Sequence, residues 1–181
     1  MNFFQKKTNN KTLKTYVAEL DELLRESIYD RLISDRPLGF LLSGGLDSSL
    51  IVALSSTMQN KNNLKVFNLG FDNKTYDESE DANLVTNSLG INLIKEKLNA
   101  NDLIKLTDIF FEKFDEPFSD SACFPLMAIS KFAKNHVDVV ITGDGGDELF
   151  GGYHYYHLMN LYKKFEIIFT FLKYSKLTKT L

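Results

Sequence analysis

Residues 40–50 read FLLSGGLDSSL, in which a short apolar run precedes two glycines and a cluster of hydroxyls around one aspartate. The run LGFLL at 38–42 is too short for a helix and apolar on both faces, which predicts a buried strand. The segment LDSSLIVALSSTM at 46–58 predicts a helix that begins inside the motif. The stretch therefore predicts a strand, a glycine-rich loop and a helix in direct succession.

The same alternation continues along the chain. Apolar residues spaced three and four apart predict a long helix from Leu13 that Pro37 ends. Further strands are predicted at 65–71 (KVFNLGF), at 91–98 (INLIKEKL, a sheet edge) and at 137–142 (VDVVIT). Further helices are predicted at 76–90 with Gly90 as C-cap, at 101–114 with Asn101 as N-cap, and at 121–136. We therefore expect an α/β fold, an open parallel sheet with helices on both faces, Rossmann-like and of the adenine nucleotide alpha hydrolase type.

The composition narrows the possible partners. The 181 residues, 44% hydrophobic and 25% charged, suffice for one domain with a core. A net charge of −3 argues against a nucleic-acid partner. The single cysteine excludes an internal disulfide framework and suits a reducing cytoplasm. We expect a cytoplasmic protein without a signal peptide or a membrane span, because no apolar run is long enough to cross a bilayer.

The loop of the opening stretch has the chemistry of a polyanion site. Gly44 and Gly45 allow close backbone approach, and the helix that starts near Asp47 directs N–H groups and its positive end into the loop. Hydroxyl donors are added by Ser43, Ser48 and Ser49. Asp47 repels a bare phosphate, so we expect it to hold Mg²⁺. A Walker loop with its lysine is absent, and the structural alternative is a tight turn with a serine-capped helix.

A second glycine-rich loop, TGDGGDELFGGY at 142–153, follows the fourth predicted strand. In parallel sheets ligands bind beyond the carboxyl ends of the strands where strand order reverses, so we expect both loops at one crevice. Carboxylates are then placed opposite Asp47 by Asp144, Asp147 and Glu148. Asp47 and Asp147 make a candidate Mg²⁺ site. Calcium-loop alternatives lack the required ligand spacing or tandem repeats.

The motifs carry a family resemblance. SGGLDSS resembles the pyrophosphate loop of the N-type ATP pyrophosphatases, and TGDGGDELFGGY looks like a signature of the synthetase domain of the glutamine-hydrolysing asparagine synthetase family. RPLGFLLSGGLDSSLIVAL, FNLGFDNKTYDESEDANLV and FDEPFSDSACFP resemble further family segments in the same order. The resemblance covers roughly residues 11–157.

The resemblance implies a ligase that uses ATP and Mg²⁺ to adenylate the aspartate side chain, releases pyrophosphate and lets ammonia attack to give asparagine. The pyrophosphate is then held by Ser43, Gly44, Gly45, Asp47, Ser48 and Ser49. Adenine lies against Leu41 and Leu69, and main-chain groups of Thr142 and Gly143 close over adenine and ribose. Asp144 steers or deprotonates ammonia, and Asp47 and Asp147 hold Mg²⁺.

The resemblance also leaves alternatives open. We expect an ATP pyrophosphatase domain at 1–152, led by a helix at 11–35, and the start of a truncated C-terminal helical region at 153–181. Position 2 is Asn2, so no nucleophile of the glutaminase domain is recognisable, and ammonia arrives free or from a separate glutaminase. The alternatives are an amidotransferase acting on another carboxylate, an RNA-modifying enzyme, and a non-catalytic nucleotide-binding fragment that needs a partner chain.

Five further residues have ambiguous roles. Glu116 and Asp120, in DEPFSD, either face the site or, for Asp120, cap the next helix. His154 and His157 have the spacing of two metal ligands but no further ligand nearby. Cys123 lies among apolar residues, which favours a core position over a nucleophile.

Overall fold

The computed structural model describes residues 11–75, 77–116, 120, 122–159, 161–163 and 165. The elements follow the predicted alternation of helices and strands. In chain order they are α1 (Leu13–Leu32), β1 (Leu38–Leu41), α2 (Leu46–Met58), β2 (Lys65–Phe71), α3 (Ser79–Leu89), β3 (Leu93–Leu98), α4 (Ala100–Lys113), α5 (Cys123–Ala133), β4 (Val139–Ile141) and α6 (Gly146–Phe150). A 3-10 turn, Lys61–Asn63, precedes β2, and residues 154–159 are also helical.

The four strands form a parallel sheet in the order β3-β2-β1-β4. Phe40 of β1 is aligned with Val66 on one side and with Ile141 on the other. The chain fills the sheet from β1 to β3 in one direction and then returns to place β4 on the opposite side of β1. Strand order therefore reverses between β1 and β4, the strands that precede the two glycine-rich loops, and β3 lies at an edge as predicted.

Helices cover both faces of the sheet, which confirms the predicted α/β class. On one face, Phe40 and Val66 pack in a buried cluster with Val52 of α2 and Ala82 of α3. On the other face, Phe67 packs against α5, through side chains that include Ile129 and Ala133. A third cluster joins α4 and α5 beside the end of β3. Successive residues of a strand contribute to opposite layers, because their side chains point to opposite faces of the sheet.

The predicted first helix is present and ends before Pro37. Its apolar stripe is longer than the surface that covers it. Ile28 is the one buried residue in α1, whereas Leu13 and Val17 nearer its start are exposed. The helix packs on α2. The burial of α1 is therefore concentrated in its C-terminal half.

The start of α4 corrects one prediction, because the N-cap is Asn99 and not Asn101. The Asn99 side-chain oxygen accepts hydrogen bonds from the N–H groups of Asn101 (2.9 Å) and Asp102 (3.2 Å). The Asp102 carboxylate accepts the Asn99 N–H in return, at 3.3 Å. This reciprocal capping box decides the register, since Asp102 lies three residues after Asn99 and only one after Asn101.

Other element ends differ by a few residues from the predictions. The 76–90 helix begins at Ser79 and ends, as predicted, at Gly90, whose φ is +68°. The third strand begins at Leu93, and the fourth covers Val139–Ile141. The fifth helix is shorter than 121–136 at both ends. The second glycine-rich stretch is not wholly a loop, because it contains the short helix α6.

The chain separates into two units, Met1–Thr142 and Gly143–Leu181. The sheet and its covering helices lie in the first unit, and α6 lies in the second. The predicted boundary at 152 and the predicted helical region at 153–181 stay predictions, and most of that region lies outside the described residues. No helix in the part of the chain that the structure describes combines the length and apolar character needed to cross a membrane.

Candidate active site

The first glycine-rich loop begins where β1 ends and is closed by two of its own serines. The Ser43 hydroxyl accepts the Gly45 N–H at 3.1 Å and lies 3.0 Å from the Ser48 hydroxyl. The Ser48 oxygen in turn lies 3.3 Å from the Ser43 backbone nitrogen and donates to the Gly45 carbonyl at 3.3 Å. The structure thus brings these predicted site residues together in one tight turn.

Gly44 is required in this turn for conformational and for steric reasons. Its φ is +104°, a region that residues with a Cβ rarely adopt. A Cβ at this position would lie 2.8 Å from the Cβ of Asp81 and 3.0 Å from the backbone nitrogen of Ala82. Both atoms belong to the first turn of α3. The loop backbone therefore lies directly against the start of α3.

The N-terminus of α2 faces the loop without a side-chain cap. Its N-cap residue is Gly45, which makes no cap hydrogen bond through a side chain. The first backbone bond of the helix runs from the Ser49 N–H to the Gly45 carbonyl, at 3.1 Å. The N–H groups of residues 46–48 precede that bond, and such groups at a helix start bind anions together with the positive end of the helix dipole. Asp47, half-buried, lies in this first turn.

The Ser49 hydroxyl is enclosed and has no hydrogen-bond partner, a property that the described residues share only at Ser55. Leaving a buried hydroxyl unpaired costs about 1–3 kcal/mol. Ser49 follows the uncapped first turn of α2. The role of its hydroxyl as a pyrophosphate donor stays a prediction.

Three more predicted binding residues lie at the same end of the sheet. Leu41 and Leu69 are half-buried and pack on the same cluster as Phe67, beneath α5. Thr142 follows β4, which pairs with β1. Because the strands are parallel, these residues flank the first loop at the carboxyl edge. Leu41 and Leu69 together offer an apolar surface beside a polar loop.

The second loop, in the other unit, folds as a turn into α6. Gly145 has a φ of +91° and is the N-cap of this helix, and the Gly146 N–H donates to the Gly143 carbonyl at 3.3 Å. The helix ends at Gly151, whose φ is +72°. The Asp147 carbonyl accepts the N–H groups of Gly151 and the next residue at 2.9 and 3.0 Å. Glycines therefore shape both ends of α6.

The carboxylates of this loop differ in their surroundings. Glu148 accepts a hydrogen bond of 2.5 Å from the Tyr153 hydroxyl, and this bond lowers the pKa of Glu148. The same bond, followed by desolvation and the negative charges of Glu148 and Asp147, raises the pKa of Tyr153 to about 12. Asp144 and Asp147 are exposed. The hydrogen bond from Tyr153 therefore joins Glu148 to the residues that follow α6.

The predicted magnesium site stays a prediction. Asp47 belongs to the first unit and Asp147 to the second. No group of three or more His, Cys, Asp or Glu side chains is gathered as metal ligands within the described residues. His154 and His157 are both exposed.

Asp120 closes the turn before α5 but is not the N-cap of that helix, which is Ala122 and has no side-chain cap hydrogen bond. The Asp120 carboxylate accepts the Ala122 N–H at 2.9 Å, and its carbonyl accepts the Cys123 N–H at 3.3 Å. Glu116 is exposed, and residues 117–119 of DEPFSD lie outside the described residues. Cys123 is buried with its sulfur 3.7 Å from that of Met127, which supports the core interpretation.

The sequence interpretation missed Asn68, which lies in the middle of β2 and contacts the first loop. Its side chain donates to the Leu42 carbonyl at 2.8 Å and accepts from the Ser79 hydroxyl at 2.8 Å. The available signal was an amide side chain inside the otherwise apolar strand KVFNLGF. Buried polar groups need partners, so such a residue marks a specific contact.

The parallel sheet and the glycine-rich loop after β1 define an α/β protein with the adenine nucleotide alpha hydrolase-like fold. A solved structure with the same fold is the glutamine-dependent NAD⁺ synthetase from Acinetobacter baumannii in complex with ADP. Its TM-score is 0.55 and its identity 18%, over 75% of this chain and 27% of that one.

The particular family follows from sequence comparison. The family model described as asparagine synthase matches residues 19–179, and the chain belongs to this family of ligases, which confirms the predicted resemblance. The glutamine-hydrolysing asparagine synthetase 1 of Bacillus subtilis is 36% identical over 171 residues, or 92% of this chain. A relative in Methanocaldococcus jannaschii, provisionally named a glutamine-hydrolysing asparagine synthetase, is 37% identical over 140 residues, or 77% of the chain. The chain spans about 27% of the length of both relatives.

Proposed function

We propose that this chain binds ATP at its first glycine-rich loop and activates a carboxylate for amide formation. The carboxylate is the side chain of aspartate, and the products are asparagine, AMP and pyrophosphate. The observation that carries the proposal is the uncapped N-terminus of α2. It follows a loop in which the positive φ of Gly44 favours glycine. The name of the two relatives supports the choice of aspartate.

The polar loop holds the pyrophosphate part of ATP. The backbone N–H groups at the start of α2 and the hydroxyls of Ser43, Ser48 and Ser49 are the donors. The apolar surface of Leu41 and Leu69 receives the adenine, and main-chain groups of Thr142 and Gly143 bind adenine and ribose. The carboxyl edge of the sheet thereby recognises both ends of the nucleotide.

The residues of the two loops suit Mg²⁺. Carboxylate oxygens are its preferred protein ligands, and a half-buried Asp47 beside an anion-binding loop is repelled by phosphate unless a cation lies between them. Asp47 and Asp147 are the proposed ligands. When bound, the ion supplies positive charge to the phosphate oxygens.

The chemistry consists of two transfers. A carboxylate oxygen of aspartate attacks the α-phosphorus, and the bond from that phosphorus to the bridging oxygen of the β-phosphate breaks. The loop N–H groups stabilise the charge that develops on the departing pyrophosphate. Ammonia then attacks the acyl carbon, the carbon–oxygen bond to AMP breaks, and the Asp144 carboxylate takes up the proton that ammonia loses.

Pyrophosphate release by the purified chain tests the proposal. With Mg-ATP, aspartate and ammonium we expect pyrophosphate, AMP and asparagine in equal amounts. Asp47→Asn should abolish release, whereas Asp108→Asn on the exposed side of α4 should leave it unchanged. Pyrophosphate release with another carboxylic acid but not with aspartate would show that aspartate is not the substrate. Absence of Mg-ATP binding by calorimetry would contradict the nucleotide site itself.

A further inference from the structure

We propose that Asn68 is a positioning residue that sets the geometry of the nucleotide loop by joining the end of β1 to the start of α3. The inference rests on the proposed function, because the loop is taken as the nucleotide site. No predicted ligand-binding role involves Asn68. Its contacts instead lie on either side of the loop, at Leu42 and Ser79.

The burial of Asn68 makes these contacts obligatory. The residue is 1% exposed and lies on the face of the sheet that α2 and α3 cover. Burying an amide without hydrogen-bond partners costs as much stability as several apolar contacts contribute. The hydrogen bonds of Asn68 are therefore needed to offset its burial. Leu is close in size and would fill the same space without that cost. The amide therefore has a task that packing alone does not require.

The orientation of the amide follows from the chemistry of its partners. The Leu42 carbonyl can only accept, so it must face the Asn68 nitrogen, 2.8 Å away. The amide oxygen then faces Ser79, whose hydroxyl must donate to it, also at 2.8 Å. Rotation of the amide by half a turn would place its oxygen against the Leu42 carbonyl oxygen and lose that bond, so the Leu42 carbonyl fixes the orientation.

These two bonds hold both sides of the loop. Leu42 is the residue immediately before Ser43, and its N–H is already bonded to the Phe67 carbonyl at 2.9 Å. Ser79 is the first residue of α3, and Gly44 lies against the same turn of that helix. One side chain therefore fixes where the loop leaves the sheet and also the surface on which its glycine rests.

The test compares Asn68→Leu with Thr86→Val. Thr86 is equally buried, at 1% exposed, but its hydroxyl bonds only to carbonyls within α3, chiefly that of Ala82 at 2.9 Å. Both variants lose buried hydrogen bonds, so both should unfold at lower denaturant concentration. Hydrogen exchange of peptides covering 43–49 and 123–133 is measured without nucleotide, and Mg-ATP affinity by calorimetry. The 123–133 peptide reports general destabilisation in α5.

We expect amide exchange at 43–49 to be about tenfold faster in Asn68→Leu than in Thr86→Val, and exchange at 123–133 to be the same in both variants. The Mg-ATP affinity of Asn68→Leu should fall about tenfold, as loss of a buried hydrogen bond implies. Equal exchange at 43–49 in the two variants overturns the inference. Wild-type protein that does not bind Mg-ATP overturns the proposed function, and the exchange data still decide the positioning role. If Asn68→Leu does not fold, Ser79→Ala removes one of the two bonds and should show the same selective change.

Discussion

At Gly44 the loop backbone lies directly against a neighbouring helix, α3. The positive φ of Gly44 and the atoms of α3 at 2.8–3.0 Å from a virtual Cβ exclude any side chain. Gly90 also has a positive φ, but a Cβ there meets nothing within 4 Å. A side chain at Gly90 would therefore meet only the conformational cost of a positive φ, whereas one at Gly44 would also clash with α3.

Gly44→Ala should destabilise the fold by roughly 2–5 kcal/mol, since left-handed strain and overpacking add. Gly90→Ala carries only the conformational part, about 1–2 kcal/mol. Urea unfolding measures both values, and calorimetry with Mg-ATP should show lost binding in Gly44→Ala alone. Equal stability of the two variants would show that α3 yields to the new side chain.

Ser55 is a fully buried serine whose hydroxyl has no partner, next to a serine whose hydroxyl has one. Ser56 donates to the Ala53 carbonyl at 2.7 Å. Ser55→Ala should raise the free energy of unfolding by about 1 kcal/mol, because it removes an unpaired polar group and improves helix propensity. Ser56→Ala should be the less stable of the two by about 1 kcal/mol. Thermal unfolding of both variants decides this, and the reverse order would contradict the described pairing.

At the scale of elements, each helix start is shaped by its own chemistry. The start of α4 is closed by the capping box of Asn99 and Asp102, whereas the start of α2 has no side-chain cap. A capped start satisfies its N–H groups within the protein, and an uncapped one presents them to a ligand. The starts of α3, α5 and α6 also lack a side-chain cap, so what distinguishes α2 is that its uncapped start directly follows the glycine-rich loop after β1.

Asn99→Ala should cost about 1 kcal/mol of stability, the usual effect of losing an N-cap. Asn101→Ala removes a neighbouring asparagine inside the first turn, whose backbone N–H is bonded to Asn99 and whose side chain is exposed. We expect no loss for this control. Circular dichroism during urea unfolding provides the measurement, and a larger effect at Asn101 would restore the cap first predicted.

The bond between Tyr153 and Glu148, just after α6, predicts a pH effect. The hydrogen bond lowers the pKa of Glu148 below its ordinary 4.5, so the stabilisation is present above that value and is lost as pH falls through the lowered pKa. Tyr153→Phe should return the pKa of Glu148 towards 4.5. NMR of the Glu148 carboxyl carbon during a pH titration measures this change. The exposed Tyr162 provides the control, Tyr162→Phe. An identical Glu148 titration in both variants would contradict the bond.

At the scale of the whole molecule, strand order determines which strand ends are neighbours at the carboxyl edge of the sheet. β4 returns to the side of β1 opposite β2, so Thr142 and Ser43 follow neighbouring strands. The predicted crevice between the loops depends on this reversal.

Asp47→Asn and Asp147→Asn should each weaken Mg-ATP binding. The double variant should lose no more affinity than the single variant with the larger loss, because two ligands of one ion act as a unit. The matched control pairs Asp47→Asn with Asp108→Asn, and this double variant should bind Mg-ATP as Asp47→Asn alone does. Calorimetry at varied Mg²⁺ concentration measures the coupling. Strictly additive losses for Asp47 and Asp147 would assign them to separate sites.

Prediction from the sequence was most successful where the signal is local. The bounds of α2 and β2 were obtained from apolar patterning alone, since helix and strand periods are properties of consecutive residues. Asn99 was missed although its signal, an aspartate three residues later, is also local. Asn68 could be noticed as a polar residue in an apolar strand, but its partners, 11 and 26 residues away, could not be found.

The sequence by itself determined the α/β class, the glycine-rich loops and the family, because these depend on residue types at short spacing. The tertiary structure decided which of the described side chains meet. It placed Gly44 on α3, left Ser49 unpaired and used Asn68 to join β1 to α3. Such contacts arise from strand order and burial, which no short stretch of sequence contains. The stretch FLLSGGLDSSL therefore carries the chemistry of its loop, while the geometry of that loop depends on residues elsewhere in the chain.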